Sequence, residues 1–103
     1  MTVEDIEAFV AEIDPEARHY QIGKPTDAFT IWMEYEKIGP CADNNYIPGW
    51  RFVIDRLTKV EKDPIAKAFE TALDESDTIA YEYSVSSNLK TGYINHHFEC
   101  EGY

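Results

Sequence analysis

Apolar side chains recur at every second position in several separate stretches of this chain, a period that belongs to half-buried β-strands. Phe29, Ile31, Met33 and Tyr35 alternate with Thr30, Trp32, Glu34 and Glu36 in a strand from Phe29 to Lys37. Trp50, Phe52 and Ile54 alternate with Arg51, Val53 and Asp55 in a strand that runs to Thr58. Ile79, Tyr81, Tyr83 and Val85 alternate with Ala80, Glu82 and Ser84 between Thr78 and Ser86, and a last strand covers Tyr93 to Cys100. Arg18 to Ile22 reads as a further brief strand.

Two segments have the other period. Val3, Ile6, Phe9, Val10 and Ile13 fall at helical spacing behind Thr2, with Asp5 in the capping-box position and Pro15 just past the end. Ile65, Ala68, Phe69, Ala72 and Leu73 form a second apolar stripe, opened by Asp63 as N-cap and Pro64 at the first helical position. Asp74, Glu75 and Asp77 crowd the C-terminal end of that helix, where the dipole disfavours acids. Turns are expected at Gly23 to Asp27 and at Asn88 to Gly92, and a long loop at Gly39 to Gly49. The order α-β-β-β-α-β-β predicts an α+β fold. Its mainly antiparallel sheet has about four to five strands, with the two helices packed on one face. At 103 residues the chain, 1–103, is a single domain.

Charge narrows the function classes. Twenty acidic residues against nine basic ones leave a formal charge of -11. That argues against a surface that grips nucleic acid or an anionic membrane. It suits a basic partner, nucleic-acid mimicry, or a surface that must not adhere to DNA. No apolar run approaches the ~20 residues needed to span a bilayer. The first fifteen residues are acidic and amphipathic, unlike a secretory signal, so a cytosolic protein with free thiols at Cys41 and Cys100 is expected.

The stretch Ile94-Asn95-His96-His97-Phe98-Glu99-Cys100 concentrates chemistry-bearing side chains. Strand geometry disperses them. His96 lies with Ile94, Phe98 and Cys100, and His97 with Tyr93, Asn95 and Glu99, on opposite faces. His96 and Cys100 are roughly 13 Å apart along a strand, too far to share a metal. Nothing around Cys100 resembles a nucleophile motif, and no Gly-rich phosphate loop or Ser elbow is present. No catalytic residue, metal or cofactor is nominated, and Cys100 reads as a small buried thiol.

The candidate contact residues lie elsewhere. Tyr46, Ile47 and Trp50 stand near the end of the long loop as anchors for a partner, the alternative being that they fold back onto the sheet. Trp32, Glu34 and Glu36 share a strand face with Thr30 that is either solvated or meets a partner. The seven tyrosines and two tryptophans suit protein interfaces.

The run Ala42-Asp43-Asn44-Asn45-Tyr46, then Trp50-Arg51-Phe52-Val53-Ile54-Asp55-Arg56-Leu57-Thr58-Lys59, then Lys62-Asp63-Pro64 and a helix ending Ala72-Leu73-Asp74, resembles small tailed-phage tail terminator proteins, also described as tail completion, head–tail joining or minor capsid proteins. Tyr93-Ile94 and Phe98-Glu99 stand in the closing strand of that pattern. The resemblance covers most of the chain in order of elements. The Tyr-rich strand and the His96-His97 variant of the closing strand depart from it. It implies a structural role in a phage or prophage: a homo-oligomeric, typically hexameric ring that caps the tail tube. Its partners would be the tail tube protein and a head-completion protein, and DNA would pass without specific binding. It also implies assembly in the host cytoplasm and residence at the virion's tail–head junction. The rival reading is a small acidic binding module, of the immunity-inhibitor or nucleic-acid-mimic kind.

Overall fold

The computed structural model describes residues 1–21, 28–39, 41–42, 45–46 and 48–103, with 41–42 and 45–46 described by backbone alone. Helix α1 (Val3–Ile13) opens with a complete capping box: the Asp5 N–H donates to Thr2 Oγ1 at 3.1 Å and the Thr2 N–H to Asp5 Oδ2 at 2.8 Å. Strands β1 (Arg18–His19) and β2 (Ala28–Ile38) follow. A small ladder, β3 (Cys41–Ala42) with β4 (Asn45–Tyr46), sits inside the long loop. Then come β5 (Gly49–Thr58), α2 (Pro64–Glu75), β6 (Ile79–Ser87) and β7 (Ile94–Gly102). The main sheet has the order β1-β2-β5-β7-β6. Only β1 pairs in parallel, so the sheet is mixed but mainly antiparallel. Among the described residues no helix is long and apolar enough to cross a membrane.

Both helices lie on one face of this sheet. Ile6 and Val10 of α1 and Phe69 and Leu73 of α2 are buried against Trp32, Phe52, Ile54, Phe98 and Cys100. Each fully buried side chain of this size contributes about 1.5–3 kcal/mol. The central row runs Trp32, Ile54, Phe98, Tyr83 across four strands, and the Tyr83 and Phe98 rings stack at 4.6 Å. The acids at the end of α2 find a partner in the sheet, since the Tyr81 phenol donates to Asp74. That bond pushes Tyr81 up to about 12.

Strand β2 departs from its sequence pattern. The face of Phe29, Ile31, Met33 and Tyr35 is the outer one; Thr30 and Trp32 point inward, 1% and 3% exposed. The register explains this, because Trp32 pairs with the inward Ile54 and Thr30 with Arg56. Glu34 and Glu36 do not share a face either. The ladder skips Tyr35, pairing Glu34 with Phe52 and Glu36 with Arg51. Such a one-residue bulge exchanges the two faces beyond it.

A charged side chain joins the layers. Arg56 is 6% exposed and lies on the inward face of β5. Its guanidinium donates to Asp63, the N-cap of α2, through Nε at 2.9 Å, and pairs with Asp14, the C-cap of α1, at 3.5 Å. It also donates to Thr30 Oγ1 at 3.3 Å. Asp63 accepts in addition from the Ala66 N–H, and Asp14 from the Glu16 N–H. Breaking such a buried pair leaves an uncompensated charge. Arg56→Met is expected to lower the unfolding free energy by about 3–5 kcal/mol in urea melts. Adding Asp14→Asn to that variant should recover part of the loss, whereas Asp14→Asn alone should destabilise. Equal stability of Arg56→Met and the wild type would show that the cluster does not hold the layers.

Candidate interaction face

The face of the sheet that carries no helix is built from the other parity of the same strands. Its apolar side chains lie on β2 and β5: Phe29, Ile31, Val53 and Leu57 are half-buried and Met33 is 39% exposed, with the Asp55–His97 pair among them. The end away from the β6–β7 turn is acidic. Register places Glu82 directly opposite Glu99, and Glu36, Arg51 and Glu101 side by side in the next row. Among the described residues the only cation paired with any of these four carboxylates is Arg51, 3.0 Å from Glu36 and 3.8 Å from Glu101.

Tyrosines frame the group. The Tyr35 phenol donates to Glu99 at 3.0 Å and the Tyr103 phenol to Glu101 at 2.9 Å. Desolvation raises Tyr35 above its ordinary value, with the Glu99 carboxylate adding to the effect. The bond to Glu101 raises Tyr103 in the same direction. Both phenols therefore stay protonated donors at neutral pH. A concavity of about 420 Å³ opens here, lined by Tyr35, Arg51, Glu82, Glu99 and Glu101 among others. Like charges directly opposite on neighbouring strands oppose pairing, so Glu82 and Glu99 do not stabilise the isolated sheet.

The sequence-nominated contact residues scatter. Trp32 belongs to the core, and its ring stacks on His19 at 3.9 Å. Glu34 lies on the same inner side at the sheet edge, with its side chain 10% exposed; it bonds His19 Nε2 at 2.7 Å and accepts from the Tyr20 phenol. Neither offers a free partner surface, because β2 turns this parity toward the helices. Trp50 packs half-buried against the core, the folded-back alternative. Of the four nominated residues whose side chains are described, Glu36 alone joins the open acidic group. The side chain of Tyr46 and the whole of Ile47 lie outside the described residues.

Arg51, Glu82, Glu99 and Glu101 were not nominated from sequence. Each sits at the outward parity of its strand, which is a readable signal. That they meet depends on strand order and register, which is not.

The two adjacent histidines do face opposite ways. His97 bonds Asp55 on the open face at 2.6 Å, while His96 is buried and bonds Tyr83 Oη at 2.6 Å. Among the described residues no three His, Cys, Asp or Glu side chains are grouped to hold a metal ion. Cys100 is a free, buried thiol. Burial pushes it up to about 12, which removes its nucleophilic thiolate at neutral pH. In a Cys41→Ser background, Ellman's reagent should find no reactive thiol in the native protein and full reaction in guanidinium. Rapid labelling of the native protein would contradict this burial.

No protein-family model matches the chain, and no curated protein matches it.

Proposed function

We propose that this chain is a structural subunit of the tail-terminator or head–tail joining type, which closes into a ring, typically of six copies, on the end of a phage tail tube. The observation that carries this reading is the helix-free sheet face, where apolar side chains of β2 and β5 adjoin a group of four carboxylates offset by one arginine. The order of elements and the motifs that resemble the terminator family support it. Acidic side chains facing a ring lumen repel phosphates and release no counterions, so DNA slides past without adhering. Exposed Met33, Tyr35 and Tyr103 are the side-chain types that anchor contacts between subunits. The partners in this reading are further copies of the chain, the tail tube protein and a head-completion protein. Assembly takes place in the host cytoplasm, and the finished ring resides in the virion.

The same acidic concavity supports a second reading, a small module that docks a basic partner. The two separate on self-association. Sedimentation velocity over a concentration series is expected to show a step from monomer to a closed species near six copies. Imaging of that species should show carboxylates lining its opening. A strict monomer at every concentration, unchanged by added tail tube protein, would move the binding module ahead. A strongly basic lumen would overturn the sliding role.

A further inference from the structure

The two edges of the main sheet are unlike. On one side β1 has only two residues, and Tyr20 ends it with a φ of 64°. The stretch of β2 beyond it carries the bulge at Tyr35 and the charges of Glu34, Glu36 and Lys37. Short strands, bulges and charges are how folds keep an edge from pairing with another chain. The other edge is β6, and it is not guarded in this way. It is nine residues long and holds an unbroken register with β7 from Ile79 to Ser87. It contains no proline, lysine or arginine, and Glu82 is its only charge. Its outer side pairs with no other strand among the described residues. Every residue from Glu82 to Lys90 is exposed, Val85 by 55% and Leu89 by 97%.

Such an edge is a template for one more strand. The pattern of β6 says which. Laid antiparallel against a second β6 with Tyr83 opposite Tyr83, all nine residues are paired, each on its own face of the sheet. Tyr81 then faces Val85 on the helix side, an aromatic against a β-branched side chain, while Glu82 faces Ser84 and Ala80 faces Ser86 on the open side. Other registers are worse. A slip of one residue turns every side chain to the wrong face. Centring on Glu82 sets two carboxylates against each other, and centring on Ser84 runs Ile79 and Ala80 past the end of the partner strand.

The same register brings ends of opposite charge together. Continued past the strand ends, it sets Lys90 of one copy beside the Ser76–Asp77 segment of the other. There the negative pole of α2 adds to Asp74, Glu75 and Asp77. Neither Lys90 nor Asp77 has an ion pair among the described residues.

We propose that β6 is a self-association edge, where two copies pair antiparallel about a two-fold axis at Tyr83 and join their five-stranded sheets into one. The pairing goes beyond the ring reading and does not rest on it.

Ser84→Lys places a guarding charge on the exposed side of β6 and leaves the core alone. Sedimentation velocity of the wild type should show a species of two copies or a multiple of two. Ser84→Lys should return it to monomer with an unchanged far-UV circular dichroism spectrum. Lys90→Glu and Asp77→Lys should each weaken the pair several-fold. The double variant restores opposite charges across the axis and should regain most of the loss. Nitroxides on Ser84→Cys and Ser86→Cys, in the Cys41→Ser background, read the register. Within a pair the two labels are offset along the strands by roughly 7 Å at position 84 and roughly 20 Å at position 86. Spectral broadening should therefore be strong at the first and weak at the second. A wild type that is monomeric at every concentration overturns the second copy as the occupant. Equal broadening at the two positions, or no recovery in the double variant, overturns the two-fold register. A six-copy ring that survives Ser84→Lys overturns this edge and keeps the ring reading. A pair that Ser84→Lys abolishes and that never grows further keeps the edge and sinks the ring reading.

Discussion

Arg56 is the point at which the sheet and both helices are held to one another. Its guanidinium lies between the C-cap of α1 and the N-cap of α2, so one side chain spans three elements distant in sequence. A buried charge cluster is not a cheap source of stability, since desolvation offsets most of its Coulomb energy. Its value lies in geometry. Asp63 must accept from both Arg56 and the Ala66 N–H, which fixes where α2 starts over the sheet. Asp14 ends α1 with a carboxylate at the unfavourable pole of the helix dipole, and the arginine is what makes that tolerable. With both helix ends held on one side, the other side of the sheet is left without a helix.

That division gives the molecule two unlike surfaces. The covered side is a conventional core of aromatic and aliphatic side chains, with the ring of His96 beside the start of α2. On the open side, apolar residues of β2 and β5 surround the Asp55–His97 pair in the half near the β6–β7 turn, and the grouped carboxylates lie in the other half. The bulge at Tyr35 contributes to the second half. By exchanging faces it turns Glu36 out to Arg51 and sets the Tyr35 phenol against Glu99. A regular β2 would keep Glu36 on the same side as Glu34. The acidic concavity therefore traces back to the placement of the helices, since it forms where they are missing.

A large negative charge on a small domain is most often a matter of solubility. Here part of it is organised. Glu82 and Glu99 are held opposite one another across β6 and β7, and neither has an ion pair among the described residues. An arrangement that works against the isolated sheet suits a surface facing phosphate or a basic protein. It fits the proposed ring, and it equally states what a competing partner would have to look like.

Alternation and caps in the sequence were enough to determine the two helices, the four long strands, the capping box at Thr2 and Asp5, the cap at Asp63 and the opposite facing of His96 and His97. These depend on local periodicity and on backbone donors within a few residues of their acceptors. Arg56 was also legible in principle, as a charge on the inward parity of Phe52 and Ile54, but its partners were not. Only the tertiary structure decided which face of β2 is inside. Its alternation is nearly symmetric, apolar on one side and Thr30 with Trp32 on the other, and pairing with Ile54 settles the choice. The acidic group likewise exists only after β7 inserts between β5 and β6, because strand order and register bring together residues that share no local pattern.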